Sequence, residues 1–415
     1  MKSPPATETR PTPRVLIREL AGGIGDWGLL IPLAIALVTL NGLDATVVFA
    51  GVGLTYIATA IYFRIPVPVQ PLKAFAAAAI ALDLSAEVLA AGALLMSAVM
   101  AALAVTGLAS WLAERFPTVL VRGIQAAIAL LLAKAALDLA TQGNWDGLAP
   151  IEPWVGVAMT VGGCAALFAG ARLGFPGSLL VLGAGAVVGV AVGGLPEVTL
   201  GPSAPELGFP DGAAFAEALT ALVLAQVPLT FGNSIVATAD AEREYFGGRA
   251  RRVTPRRLAA SIGTANLFAG GLGGLPVCHG AGGVTAHYKL GARTWLATAM
   301  AGGLLVVLGL AFGSSLPSIL QVVAPGALAG MLLYVAIQHA MLAARLEGVG
   351  DRAIAATVGV VTLIAGSLAI GFGVGVALVL ARRLGVESSL SGRGTQWPKA
   401  NSAKTATPTS ATTPR

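Results

Sequence analysis

Few side chains in this sequence can do chemistry, and several of them sit where glycine or proline interrupts an apolar run. The 415 residues include 20 Asp and Glu, 26 Lys and Arg and only 3 His. Gln70 and Lys73 close the stretch Arg64-Ile-Pro-Val-Pro-Val-Gln-Pro-Leu-Lys73, just ahead of an alanine run. Cys278 and His279 fall in Gly274-Leu-Pro-Val-Cys-His-Gly280, which continues into Ala281, Gly282 and Gly283. Asp26 lies in Gly22-Gly-Ile-Gly-Asp-Trp-Gly28, and Asn233 and Ser234 in Phe231-Gly-Asn-Ser234. An extended stretch that runs straight into a helix leaves the first N–H groups of that helix unpaired. Each such end carries roughly +0.5 of an elementary charge. Two of them aimed at one gap would receive an anion with several acceptor oxygens. Pro71 suits a first helical turn, and Gly280, Gly282 and Gly283 let backbone approach a ligand closely.

Each of these residues has a second reading. An ionisable group in a membrane span costs at least about 2.5–3.5 kcal/mol on insertion scales. Lys73 therefore attracts the anion, pairs with a carboxylate such as Asp26, or snorkels to an interface. Asp26 opposes an anion, so it reads as a salt-bridge partner for Lys73, a proton-coupling carboxylate, or an interfacial cap. His279 could donate to an oxyanion, carry a proton or bond a neighbouring helix. Asn233 and Ser234 are uncharged donors that either line the same cavity or bond between helices. His287 and His339 are expected near an interface, and Cys164 as a small apolar filler. Cys278, His279 and His287 as metal ligands would make a membrane-embedded metalloenzyme. A catalytic zinc takes three ligands from one preorganised cluster, whereas His287 would lie about 12 Å beyond His279 along a helix axis. No metal site, cofactor or enzymatic activity is expected. The glycines around Asp26 lack the strand and βαβ unit of a dinucleotide site.

The elements that must position these residues follow from composition. The chain is 56% hydrophobic and only 11% charged, with a mean hydropathy of +0.81. A soluble domain is about 25% charged, so this chain must be solvated largely by lipid. The net charge of +6 does not point to nucleic acid, because its basic residues gather in alternate loops. The Pro-, Thr- and Arg-rich start has no signal-peptide pattern; 1–16 and 386–415 are expected to be disordered cytoplasmic tails.

Breaks in the apolar pattern mark seven segments in 17–205 and seven in 206–385. The even-numbered connections carry Arg64, Arg115, Arg122, Arg172, the Arg243–Arg257 cluster, Lys289, Arg293, Arg345 and Arg352. The odd-numbered ones carry Asp44, Asp83, Glu87, Asp138, Asp146, Glu152, Glu197, Glu206, Asp211 and Glu217. Positive charge inside then places both termini in the cytoplasm. The expected fold is all-α and polytopic, about 14 transmembrane segments as an inverted 7+7 repeat. Segments 3 and 10 are half-helices preceded by extended stretches. Leu72–Leu84 would span only about 20 Å as a helix, short of the roughly 30 Å core. The extended residues must supply the rest of the depth, and non-helical backbone there belongs around a cavity.

Pro66-Val-Pro-Val-Gln-Pro-Leu-Lys73 and Leu275-Pro-Val-Cys-His-Gly-Ala-Gly-Gly283, with the opening Gly25-Asp26, resemble the paired signatures of the molybdate transporter family, a relative of the sulfate permeases. The resemblance covers about residues 17–385. It implies the fourteen-span fold shared with sulfate permeases and nucleobase carriers, in which a core domain moves against a gate domain. It implies molybdate as substrate, with Gln70, Lys73, His279 and Gly280 at family motif positions. The short stretch after Arg383 leaves no room for a sulfate-permease regulatory domain, which favours the molybdate branch. The expectation is a secondary active transporter working by alternating access. Its substrate-binding candidates are Gln70, Lys73, Asn233, Ser234, Cys278, His279, Gly280 and Ala281, with Asp26 and His279 for proton coupling. Sulfate, tungstate, bicarbonate or a nucleobase are the alternative cargoes. The expected partners are the lipid bilayer of a plasma membrane, a bacterial inner membrane, and a second copy of the chain in a homodimer.

Overall fold

Glycine, proline and capping side chains divide the apolar runs, and the helices fall between those breaks. The computed structural model describes residues 12–113, 117–141, 152–173, 177–205, 208–321 and 323–391. Segment 1 is Pro13–Gly23 and Trp27–Thr39, bent by 53° at the break that holds Asp26. Segment 2 is Ala45–Phe63, and segment 3 is strand β1, Gln70–Pro71, with the half-helix Lys73–Ala81. Segments 4 to 7 are Ala86–Thr106, Thr118–Thr141, Pro153–Leu173 and Gly177–Gly193. Segment 8 is one long element, Gly212–Arg252, and segment 9 is Pro255–Leu272. Segment 10 is strand β2, Val277–Cys278, with the half-helix Ala281–Leu290. Segments 11 to 14 are Trp295–Phe312, Pro325–Ala343, Val349–Ala365 and Leu368–Ser391. Short helices, Leu108–Ala113 and Leu316–Gln321, precede segments 5 and 12. Residues to Gly375 form one compact unit; those described beyond it continue as the helix of segment 14.

Local chemistry accounts for the boundaries. Asp44 and Asp211 accept from the N–H groups of Val47 and Ala214 at 2.8 and 2.7 Å, capping segments 2 and 8. Gly107, Gly273 and Gly366 end segments 4, 9 and 13 in the left-handed conformation that glycine adopts freely. Inside segment 8, Pro228 removes a backbone donor, and the helix widens to π geometry on both sides, at Leu219–Val223 and Thr230–Val236.

The packing shows an inverted repeat directly. Segment 2 packs on 11 as segment 9 packs on 4, and segment 5 packs on 13 as 12 packs on 6. The first helix of segment 1 lies against segment 11 and half-helix 10. The start of segment 8 lies in the same way against segment 4 and half-helix 3. Each contact recurs when segment numbers are shifted by seven. Segments 2 and 11 approach through small residues: a Cβ on Gly53 would stand 2.5 Å from the Gly302 carbonyl oxygen.

Among the described residues seven helices are long and apolar enough to cross a membrane by themselves, and the bent pair of segment 1 makes an eighth. The others in the fourteen are the half-helices and the remaining helical segments. Only 22% of the apolar window of segment 6 is buried, and Val157 and Val161 point outward, as lipid contact requires. This is a multi-pass membrane protein.

The connections sort onto two faces. In the Arg-rich stretch Arg249 donates to the Arg293 carbonyl, Arg252 to that of Tyr62 at 2.8 Å, and Arg256 to that of Ala104 at 2.8 Å. These bonds join the 8–9 connection to the 10–11, 2–3 and 4–5 ones. On the other face Asp211 N–H donates to Glu87 at 2.9 Å, Ser203 N–H to Thr46 at 2.7 Å, and Thr199 N–H to Ser315 at 2.6 Å. The last of these ties the 7–8 connection to 11–12.

Several sequence expectations shift here. Helix begins at Pro13, inside the tail placed at 1–16, and runs to Ser391, inside the tail placed at 386–415. Residues 1–11 and 392–415, with Arg115, Asp146 and Glu206, lie outside the described residues.

The two-faced arrangement sets a topology test. Single cysteines placed at 247–252 and at 195–203, with Cys164 and Cys278 removed, should react with an impermeant maleimide from opposite sides. Labelling of both from one side of intact cells would contradict the odd–even partition.

Candidate functional site

Proline-rich backbone cannot continue a helix, so the chain reaches the two half-helices as extended strands. β1 and β2 pair antiparallel, Gln70 opposite Cys278 and Pro71 opposite Val277. Leu72 N–H donates to the Pro276 carbonyl at 3.0 Å. The outer edge of β2 is satisfied by Asn266, whose amide exchanges two hydrogen bonds with the Val277 backbone at 2.9 and 2.8 Å. The half-helices therefore start side by side. Neither is capped by its N-cap residue, Leu72 or Gly280. One donor of the first is used, since Phe75 N–H meets Gln226 Oε1 at 3.0 Å.

A cavity of about 320 Å³ lies against these starts, bordered by Asp26, Gln70, Lys73, Asn233 and Gly282. It extends to His339 on the far part of segment 12 and to Arg345 just beyond its end. A smaller one of about 230 Å³ around Arg122 shares Gln125 and Asn233 with it. Arg122 donates to Gln125 Oε1 at 2.8 Å. Arg122 and Arg345 both sit by even-numbered connections, so the space reaches toward that face.

Asp26 is buried and fully engaged. Tyr56 OH donates to its Oδ1 at 2.9 Å, His287 Nε2 to the same oxygen at 2.9 Å, and Gln70 Nε2 to Oδ2 at 3.3 Å. Three donors converge on one carboxylate and fix its position. The Gln70 amide has its other end, Oε1, buried without a hydrogen-bond partner among the described residues. That oxygen lies against Gly280: a Cβ there would overlap it and would stand 3.1 Å from Lys73 Nζ. A Cβ on Gly283 would stand 2.5 Å from Gln70 Nε2. Glycine at 280 and 283 is the condition for Gln70 to lie where it does.

The cavity brings together Asp26, Gln70, Lys73 and Asn233; Gly280 lies against Gln70 and Lys73, and Ala281, which opens half-helix 10, is not in the lining. Ser234 is buried behind it, on the side of the Cys278 thiol. The thiol also meets the Pro71 carbonyl at 3.7 Å. His279 faces away from the cavity. Its Nδ1 donates to the Pro68 carbonyl at 2.8 Å and its Nε2 accepts from Ser261 at 3.0 Å. A carbonyl can only accept, which sets that tautomer. Strand alternation explains the direction: Gln70 is opposite Cys278, so the neighbour His279 points to the other side.

Two further placements differ from the sequence reading. His287 and His339 are buried rather than interfacial, and Asp26 is hydrogen-bonded to His287 and not paired with Lys73. Tyr56, Gln125, Gln226 and Arg345 were not singled out. A lone polar side chain in an apolar run was the available signal for Tyr56 and both glutamines.

The fold and site define a multi-pass anion transporter built of two inverted seven-segment repeats. In structure it is similar to the transmembrane domain of a cyanobacterium bicarbonate transporter, BicA, at a TM-score of 0.65 and 16% identity, over 86% of this chain and 97% of that one. It is also similar to murine Solute Carrier 26 family member A9, an anion transporter in the inward-facing state, at 0.62 and 14%, over 91% and 69%. Residues 18–132 and 218–338 match the family described as "Molybdate transporter of MFS superfamily". The chain belongs to that molybdate transporter family. It is 28% identical to Molybdate transporter 2 of Arabidopsis thaliana over 89% of its length and 88% of the relative's. It is 27% identical to Molybdate transporter 1 of Chlamydomonas reinhardtii, over 92% and 94%. The superfamily in the description denotes two six-span halves, whereas the repeat seen here has seven segments.

The glycine constraint is testable. Gly280→Ala or Gly283→Ala should displace Gln70 from Asp26 and weaken oxyanion binding by roughly tenfold or more, the scale of an overpacked contact of about 1–3 kcal/mol. Gly303→Ala, on segment 11 away from the cavity lining and where a Cβ meets nothing within 4 Å, should bind within about twofold of wild type. Equal affinity in all three proteins, measured on purified folded material, would remove the constraint.

Proposed function

We propose that this protein is a secondary active transporter of molybdate that works by alternating access. The observation that carries this reading is the pair of uncapped half-helix starts, side by side, with Lys73 at the cavity they border. Their N–H groups and dipoles suit a tetrahedral oxyanion, and Lys73 adds a full positive charge. Family membership and the names of the plant and algal relatives support molybdate as the cargo. Tungstate and sulfate share its charge and shape, and the bicarbonate transporter of like fold keeps other anions in the competition.

The even-numbered connections, with their arginines, are assigned to the cytoplasm of a plasma membrane by the positive-inside rule. The cavity that extends to Arg345 then faces inward. Carrying a dianion into a negative interior costs about 2.3 kcal/mol per charge at 100 mV, or about 4.6 kcal/mol. Accumulation needs a co-transported cation, for which a proton taken up at a titratable residue is our reading.

Proteoliposomes should accumulate labelled molybdate when the external medium is acidified. Unlabelled molybdate should compete best, then tungstate and sulfate, and uracil not at all. Competition by uracil without competition by any oxyanion would replace this reading with a nucleobase carrier. Lys73→Ala should weaken molybdate binding by roughly 10- to 100-fold, the scale of a charge-assisted contact of about 1.5–3 kcal/mol. Lys73→Arg should recover part of it, since a planar fork replaces a compact charge. Unchanged binding in Lys73→Ala would assign Lys73 a purely structural role.

A further inference from the structure

We propose that the Gln70 side-chain amide is a two-position switch that couples a proton on Asp26 to the anion. The inference rests on the oxyanion reading above and deepens it.

An ionised carboxylate can only accept hydrogen bonds. With Asp26 ionised, the Gln70 amide must turn its nitrogen toward Oδ2, and it does, at 3.3 Å. The consequence is at its other end. The carbonyl oxygen Oε1 then faces Gly280 at the start of half-helix 10, beside Lys73, and it is buried with no partner among the described residues. An acceptor oxygen at that place repels an oxyanion. Oε1 and the Lys73 amine both lie beside Gly280.

Protonation reverses the logic. Oδ1 of Asp26 is held by Tyr56 and His287, both donating. Oδ2 has Gln70 as its hydrogen-bond partner, and an amide can exchange donor for acceptor by half a turn about its last torsion. A proton arriving from solution bonds to Oδ2. The amide turns over, Oε1 accepts from Oδ2–H, and Nε2 carries its two hydrogens to the gap between Lys73 and the half-helix. No covalent bond other than the O–H bond is made, and the amide itself gains and loses no proton. The protonated state offers the anion a donor where the ionised state offered an acceptor, so proton and anion each raise the affinity for the other.

The charged and titratable groups around Asp26 are fixed in ways that leave Oδ2 as the variable position. From segment 10 it meets His287, whose Nδ1 has no partner among the described residues, and from segment 2 it meets Tyr56. From segment 3 Lys73 borders the same cavity, as do His339 of segment 12 and Arg345 just after it. On its own segment Glu19 accepts from the N–H groups of Arg293 and Thr294 at 3.0 and 3.1 Å, away from Asp26.

The test is molybdate binding to purified full-length protein across about pH 6 to 8, with proton uptake followed in weakly buffered solution. Wild type should take up close to one proton per anion at the upper end, and its affinity should rise by up to about tenfold per unit fall in pH. Asp26→Asn, whose amide can donate to Oε1 permanently, should bind with the acidic wild-type affinity at every pH and take up no proton. His287→Gln keeps a donor to Oδ1 and should retain proton uptake.

Several results would overturn the switch. One is wild-type binding with no proton uptake and no pH dependence. Another is Asp26→Asn that is folded yet weak at all pH. A third is loss of uptake in His287→Gln alone, which would move the proton to the imidazole. Failure of wild type to bind any oxyanion at any pH is a different result and refutes the transport reading instead.

Discussion

Non-helical backbone inside a lipid bilayer must find every hydrogen bond within the protein, and the rest of this structure is arranged around that requirement. The prolines before Lys73 and before Gly280 forbid helix, so two stretches cross part of the membrane extended. They satisfy each other as β1 and β2. What the pairing leaves over is taken by side chains: Asn266 closes the free edge at Val277, and His279 covers the Pro68 carbonyl. Each unpaired group would cost several kcal/mol in hydrocarbon. Conspicuous polar residues near the half-helices are thus explained by backbone accounting before any ligand is considered. His279 belongs to that account.

The same requirement interlocks the two repeats. Segment 8, from the second repeat, supplies Gln226 to an N–H group of half-helix 3 in the first. Segment 1, from the first repeat, supplies Asp26 to His287 on half-helix 10 in the second. These are the two symmetry-related contacts, and each uses a polar side chain on a helix that is itself irregular. Segment 1 is broken next to Asp26, and segment 8 is widened to π geometry on either side of Gln226. A regular helix would hold these side chains in a different register. Each half-helix packs on its own repeat, 3 against segment 5 and 10 against segment 8, and is also held by the other repeat, so the cavity sits where the repeats exchange partners.

The sequence discloses the frame of this arrangement more readily than its wiring. Proline-rich stretches feeding small-residue helices mark segments 3 and 10, and alternating charge marks the two faces, because both signals are local. Gln70, Lys73, Asn233 and Asp26 are legible for a related reason: a polar group in an apolar run must be neutralised somewhere. Which partner does so is not local. The 53° break in segment 1 brings Asp26 to His287 rather than to Lys73, and no periodicity in either stretch encodes that meeting. The direction of His279 was decided by strand register, which became visible only once Gln70 was found opposite Cys278. Segments 13 and 14 are separate helices of 17 and 24 residues.

Charge placement gives the proposed anion site its energetic logic. A carboxylate beside an anion site is unfavourable unless its charge is spent elsewhere, and Asp26 spends it on three donors at once. That leaves Lys73 in no ion pair among the described residues, although it borders a largely apolar cavity. An ammonium in that position costs at least about 2.5–3.5 kcal/mol relative to water. Had Asp26 paired with Lys73 directly, that cost would be removed in the empty protein and nothing would be gained on binding. With the carboxylate turned to Tyr56, His287 and Gln70, the relief is deferred until an anion arrives. Under this reading the Asp26 network does more than hold segments 1, 2, 3 and 10 together. It keeps the one strong carboxylate of the site from occupying the cation that the substrate needs.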